Sequence, residues 1–141
     1  MQAFPLTDRF QPYRLVAAFA TLAFLIVSAG CGGDNGTNAG SQDDQVAAGR
    51  DVYAGECARC HGEQGEGGTG PQVVGGSRRI ASYETTTRLY DYVSRTMPFD
   101  DGGSLSEDQY WDSIAYLLQE NDLLPAEVVL GPDADEVKLE R

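Results

Sequence analysis

Two cysteines and a histidine stand close together near the middle of the chain, at Cys57, Cys60 and His61. Residues three positions apart lie roughly one helical turn apart, so the two thiols can reach the same edge of a flat ligand. Each thiol can add across one vinyl group of a porphyrin, and the imidazole that follows can bind the iron. This spacing is the attachment pattern of a c-type haem. The run 57–61, the haem motif, predicts two thioether bonds from Cys57 and Cys60 and an axial ligand from His61.

Three other uses of the haem motif are weaker. A structural zinc site takes four ligands, usually from a second Cys/His pair, and this chain has three cysteines and one histidine. A thioredoxin-like redox pair would accompany a βαβ pattern, which the sequence does not show. A disulfide between Cys57 and Cys60 would close a very small loop and would leave His61 unexplained.

Charge and length limit the class of protein. The chain has 141 residues and a net charge of -12, from 22 acidic and 10 basic side chains. This length suits one domain with short extensions. We expect no nucleic-acid partner, because phosphate binding needs positive charge. The acidity favours a partner with a basic docking face or a salty environment, and a generally solvated acidic surface would explain it equally well.

The first 30 residues read as an export signal. Two arginines precede an uncharged, mostly apolar run at 15–30, which is shorter than the about 20 residues of a membrane-spanning helix. The run leads into Cys31 through small residues and resembles a bacterial lipoprotein cleavage site, although Ser28 stands where that site usually has leucine. We expect cleavage before Cys31 and lipidation of its thiol. An uncleaved anchor with a free Cys31 is the alternative.

A flexible linker is predicted over residues 31–45, which are rich in Gly, Asn, Ser and Asp. Helical spacing of apolar residues begins at Val46 and continues to about Arg59. Gly49 lies inside this helix, where glycine costs about 1 kcal/mol relative to alanine. A close crossing with another helix would explain it, and a helix that starts only near Arg50 is the alternative.

A glycine-rich loop follows the haem motif, with five glycines in residues 62–70. This composition excludes a helix and lets the chain wrap close to a flat ligand. A phosphate-binding loop would need a following Lys-Ser/Thr pair, which is absent. The next helical candidate, Ser82–Thr96, should stop before Met97, because Pro98 restricts the residue before it to an extended conformation.

The last helix has the clearest start signal. Ser106 and Gln109 have the spacing of a capping box, and an apolar stripe follows it. We expect Tyr110 and Trp111, at the start of that stripe, to pack against the first helix. Residues 125–141 contain two prolines and read as a C-terminal extension that runs over the surface.

The segment 46–124 resembles the class I cytochrome c family. The resemblance is carried by the haem motif, the Gly-Pro pair at 70–71, the Met-Pro pair at 97–98 and the terminal amphipathic helix. It implies an all-α fold in which helices surround one covalently attached haem, with the first and last helices crossing. It also implies that the carbonyl of Pro71 accepts a hydrogen bond from His61 and orients the imidazole, as groups behind a metal ligand do.

Met97 is the expected sixth ligand of the iron. Met1 leaves with the signal segment, and the chain's single histidine is already used below the ring. Met/His ligation is typical of cytochromes c and raises the reduction potential. The alternative is a methionine that fills a gap in the core. The iron would then have an open position that binds a small ligand, as in a sensor or a peroxidase-like protein.

Within the family, the runs 97–99 and 103–106 look like those of haem subunits and domains that serve periplasmic sulfur-compound or quinoprotein alcohol dehydrogenases. The tail at 124–130 is most similar to the sulfur-oxidation type. The resemblance implies an exported monohaem carrier of single electrons that performs no catalysis itself. Its implied partners are redox proteins, namely a dehydrogenase subunit or a terminal oxidase. A lipid on Cys31 would anchor it to the membrane on the periplasmic side.

Overall fold

A computed structural model describes residues 40–75 and 78–140 of the chain. The described segments form helices and one isolated β-bridge but no β-strand, so the predicted all-α fold class is confirmed. The described residues form three longer helices and three short helical segments. In chain order the elements are α1 (Gln42–Val52), a π-helical turn (Tyr53–Cys57), α2 (Ala58–His61), α3 (Arg78–Ala81), α4 (Thr86–Thr96) and α5 (Glu107–Glu120).

The predicted signal peptide (1–30), Cys31 and the first part of the predicted linker lie outside the described residues. Within the segments that the structure describes, none of the helices combines the length and the apolar character needed to cross a bilayer.

Helix α1 begins at Gln42, earlier than the sequence predicts. The side-chain oxygen of Ser41 accepts a hydrogen bond from the backbone N–H of Asp44 (3.2 Å) and so caps the first turn. Gln45 is buried, with 2% of its surface exposed. The predicted linker over 31–45 is therefore wrong for its last residues. The polar residues at the end of this range, which suggested a linker, form the capped first turn of α1.

Gly49 lies where α1 crosses α5. A Cβ atom at this position would stand 1.9 Å from the carbonyl oxygen of Asp112, far inside van der Waals contact. Tyr53 and Tyr116 extend the same crossing, with ring centroids 5.3 Å apart. The predicted close crossing at Gly49 is confirmed, and the alternative of a helix that starts only near Arg50 is wrong.

The rings of Tyr110 and Trp111 contact α4, not the first helix as predicted. Trp111 stacks on Tyr90, with ring centroids 4.2 Å apart and an interplanar angle of 14°. Tyr110 meets the ring of Tyr90 edge to face, at a centroid distance of 6.2 Å. The prediction was wrong because Tyr116, further along α5, takes the position opposite Tyr53.

Helix α4 begins later than its predicted start at Ser82. Glu84 adopts a φ angle of 67°, which interrupts helical geometry, and the side chain of Thr85 then caps the new helix. The end of α4 is as predicted. Met97 is extended, with φ -126° and ψ 144°, because the following Pro98 disfavours the helical conformation there.

The C-terminal segment is part of the core, which corrects the prediction that residues 125–141 run over the surface. Leu130, Val137 and Leu139 are buried, and only 2% of Leu139 is exposed. The side-chain amide of Gln45 donates to the carbonyl of Leu130 and accepts from its N–H, each at 2.8 Å. These bonds satisfy two buried main-chain groups that would otherwise be costly to bury. The two prolines make this segment irregular, yet several of its apolar side chains are buried.

The crossing at Gly49 leads to a stability prediction. Gly49→Ala should lower the free energy of unfolding by about 1–3 kcal/mol or more. The added methyl group overlaps the backbone carbonyl of Asp112, which is held in α5 and cannot move away. Gly55→Ala is the matched control, since a Cβ atom at Gly55 meets nothing within 4 Å. That control should be neutral or stabilising by up to about 1 kcal/mol. Denaturant unfolding of the haem-loaded protein measures both changes, and equal stabilities of the two variants would contradict the prediction.

Candidate haem site

One cavity of about 490 Å³ lies among the residues that the sequence singled out. Cys57, Cys60 and His61 line it from α2 and the residue before α2. Pro71 lines it from the glycine-rich loop, and Met97 lines it from the loop after α4. The structure thus gathers five predicted site residues, drawn from three segments of the chain, around a single space.

The π-helical turn leads directly into the haem motif and ends at Cys57. Such turns occur mostly as single turns within α-helices, and they are frequent at functional sites. Cys57 and Cys60 are both free thiols and both half-buried. Burial raises the pKa of the Cys57 thiol to about 11, with the charge of Glu56 as a smaller cause, so this thiol stays protonated at neutral pH. The cavity wall therefore presents two cysteine side chains that are not joined in a disulfide.

His61 is oriented by the loop that follows it. Its Nδ1 atom lies 2.7 Å from the carbonyl oxygen of Pro71. When Nδ1 carries the proton and donates to this carbonyl, Nε2 is left as the atom that can bind a metal. Gly70 lies close against the ring, since a Cβ atom there would stand 3.0 Å from Nδ1. The structure therefore places the two atoms of the expected Pro71 contact within hydrogen-bond distance.

Main-chain and amide hydrogen bonds fold the glycine-rich loop back onto the helices. The N–H of Gly67 donates to the carbonyl of His61 (2.7 Å). Gly67 has a φ angle of 97°, which a residue with a side chain rarely adopts. Beyond the glycine-rich residues, the buried side-chain amide of Asn121, the C-cap residue of α5, donates to the carbonyl of Val73 (2.9 Å). The loop is thus fixed at both ends, next to His61 and against the core.

Tyr110 of α5 holds the loop that carries Met97. Its hydroxyl donates to the carbonyl of Met97 (2.9 Å) and accepts from the N–H of Gly103 (3.0 Å) and, more weakly, of Leu105 (3.4 Å). Tyr110 itself is buried, and its hydroxyl forms these bonds in a partly buried position. Sequence reasoning placed Tyr110 in the core but missed this role, because an apolar stripe does not show where a phenol hydroxyl points.

An ion pair links the haem motif to the same loop. Nη2 of Arg59 lies 2.5 Å from Oδ1 of Asp100. The hydrogen bond from Arg59 holds the pKa of the Asp100 carboxyl below its usual range. Sequence reasoning missed this pair because the two residues are 41 positions apart, and no local pattern connects them.

Apolar side chains form much of the remaining wall. They come from the end of the glycine-rich loop and from three helices, and they are Val73, Ile80, Leu89, Val93 and Leu117. Arg79 and Tyr83 also line the cavity and were not singled out from the sequence. Phe99 lines it as well and is 87% exposed, so this part of the wall faces solvent.

These residues fit a haem. A volume of about 490 Å³ lies within the range of about 300–1,000 Å³ that is common for cofactor pockets. The donors comprise two free thiols, one oriented imidazole and one thioether. This donor set can attach a haem through two thioether bonds and bind its iron from both sides.

Comparison with known proteins agrees with this chemistry. The chain is 30% identical to the thiosulfate dehydrogenase of Stutzerimonas stutzeri (strain A1501) over 84 residues, a match that covers 51% of this chain and 26% of that protein. It also resembles a chain in the crystal structure of the sulfane dehydrogenase SoxCD from Paracoccus pantotrophus. That likeness has a TM-score of 0.51 and 38% sequence identity, and it covers 60% of this chain and 47% of the other. The chain therefore spans about half or less of the length of these two relatives.

A family model described as "Cytochrome C oxidase, cbb3-type, subunit III" matches residues 44–117. The matched range is more than half of the chain, and it includes the haem motif, the glycine-rich loop, Met97 and most of α5. The chain therefore belongs to this family and is a c-type cytochrome, a haem protein that transfers electrons.

Proposed function

We propose that this protein is an exported monohaem cytochrome c that passes single electrons between redox proteins, as the electron-accepting subunit of a periplasmic dehydrogenase. One observation carries the proposal, namely that the haem-motif residues Cys57, Cys60 and His61 line a single cavity together with Met97, which comes from a distant segment. The haem supplies the redox chemistry, because its iron exchanges one electron between the ferric and ferrous states. The surrounding residues would bind the haem, orient it and limit its contact with water.

The chain's residues divide the work of holding and insulating the cofactor. Cys57 and Cys60 would bind it covalently, and His61 and Met97 would be the axial ligands. The carbonyl of Pro71 keeps the imidazole in one orientation. The apolar wall would limit the access of water to the bound haem, and solvent access is one of the factors that set a reduction potential. Phe99 both lines the cavity and is largely exposed, so a partner protein could approach the cavity at this edge.

The relatives support sulfur-compound oxidation as the setting. Both are named as dehydrogenases, one of thiosulfate and one of sulfane sulfur, and this chain matches only part of each. We infer that it performs the electron-accepting part and that a dehydrogenase subunit supplies the electrons. A terminal oxidase is the partner class that would take them onward. With a net charge of -12, electrostatic steering would favour partners with a basic docking face.

Covalent attachment of one haem is the first expected outcome. Acid-acetone should leave the haem on the denatured wild-type protein, and the reduced pyridine adduct should show two saturated vinyl groups. Cys57→Ala or Cys60→Ala should prevent normal maturation. The chain should then fold poorly, because a small core without its hydrophobic cofactor buries too little surface. Cys31→Ser is the matched control and should leave the haem spectrum unchanged. Release of haem from the correctly matured wild type would contradict covalent attachment.

Ligation of the iron by Met97 is the second expected outcome. The oxidised wild type should show the weak far-red absorption band of a sulfur–iron bond. Met97→Ala should abolish the band, lower the potential and let carbon monoxide bind the reduced protein, because the thioether no longer occupies the sixth position. Val93→Ala is the control, since Val93 lines the same cavity without a donor atom. Ready binding of carbon monoxide by the wild type would instead support the ligand-binding haem protein.

Lipid anchoring at Cys31 is the third expected outcome. The proposal rests on the apolar run at 15–30, which ends in small residues before Cys31. Mass spectrometry of the native N-terminus should find a chain that begins at a diacylated Cys31. Cys31→Ser should release the protein from the membrane fraction or leave it unprocessed. A mature chain that begins elsewhere, or an unmodified Cys31, would rule out the anchor.

A further inference from the structure

The ion pair between Arg59 and Asp100 joins two sides of the haem cavity. Arg59 stands between the two cysteines of the haem motif, and Asp100 follows Met97 by three residues. Nη2 of Arg59 and Oδ1 of Asp100 are 2.5 Å apart. The pair therefore ties the segment that would attach the haem to the loop that would bind its iron from the other side.

We propose that this ion pair positions the Met97 loop over the cavity and limits how readily an added ligand displaces Met97 from the iron. The inference rests on the axial role proposed above for Met97. It assigns to Arg59 and Asp100 no contact with the iron. They are positioning residues, which act through the loop that joins Asp100 to Met97.

The other ion pairs of the described residues have a different character. Arg88 pairs with Glu84, and Arg95 pairs with Asp91, each across four positions of sequence. Both pairs are local in sequence and link nothing across the fold. Arg59 differs, because its partner lies 41 positions away. Of the three ion pairs, this is the one that can restrain one segment relative to another.

The Met97 loop is held unequally on its two sides. On the core side, the hydroxyl of Tyr110 binds the carbonyl of Met97 and the N–H of Gly103. On the outer side, Phe99 is 87% exposed and so contributes little packing. The ion pair at Asp100 supplies a restraint on that outer side. Its loss should therefore loosen the loop on that side, and the position of Met97 should then depend more heavily on the hydrogen bonds of Tyr110.

The expected effect is small and depends on salt. The Arg59 and Asp100 side chains are 59% and 64% exposed. Exposed pairs shift an equilibrium by about 1.5- to 5-fold, and salt weakens them further. A contact of this size would not decide whether the protein folds. It is large enough to change the fraction of molecules in which the loop has moved away from the iron.

The test measures imidazole binding to the full-length, haem-loaded ferric protein by absorption spectroscopy at mildly alkaline pH, where the probe is mostly uncharged. Asp100→Ala should raise the apparent affinity about 1.5- to 5-fold at low salt. Asp101→Ala is the matched control. It removes the same charge from the neighbouring exposed position, where the side chain forms no ion pair within the described part of the chain. This control should bind imidazole as the wild type does.

Salt provides a second readout. Raising the ionic strength should increase the affinity of the wild type towards that of Asp100→Ala, which should itself change little. Equal affinities of Asp100→Ala and Asp101→Ala, with the far-red band intact in both, would overturn the positioning role alone. Absence of that band from the wild type would overturn both this inference and the axial role of Met97. The two failures are therefore distinguishable.

Discussion

The crossing of α1 and α5 at Gly49 is the constraint on which the haem site depends. The backbone of α1 approaches the carbonyl of Asp112 so closely that no side chain fits between them. Because α1 continues through the π-helical turn into α2, this contact fixes the haem motif relative to α5. The same α5 supplies Leu117 to the cavity wall and Tyr110 to the Met97 loop. A wider crossing would thus separate the attachment residues from the wall that faces them.

The two sides of the cavity are built with different degrees of restraint. On the side of His61, main-chain hydrogen bonds from glycine positions and the amide of Asn121 hold a loop whose geometry few substitutions could preserve. On the side of Met97, a phenol hydroxyl and an exposed ion pair hold a loop that includes a largely exposed Phe99. The loop next to His61 is therefore more strongly restrained than the loop that carries Met97.

Local patterns in the sequence predicted the features that depend on near neighbours. The capping box of Ser106 and Gln109 is present, α4 stops before Met97, and Gly49 marks a close crossing. Several of the errors concern contacts between distant residues. The start of α1 was not predicted from the sequence. The polar residue Gln45 is buried there, where it forms hydrogen bonds with Leu130, 85 positions away. The burial of the C-terminal segment and the Arg59 pair were missed for the same reason, since neither has a local signature.

The buried C-terminal segment has a consequence for the order in which this protein matures. Leu139 follows the haem motif at a long distance in the sequence and is nearly inaccessible to solvent, so the core cannot close fully until this segment is available. A chain that emerges with its N-terminus first releases Cys57, Cys60 and His61 long before Leu139. During that interval the nascent segment remains open. The thiols can then be modified by other proteins before tertiary packing encloses the porphyrin.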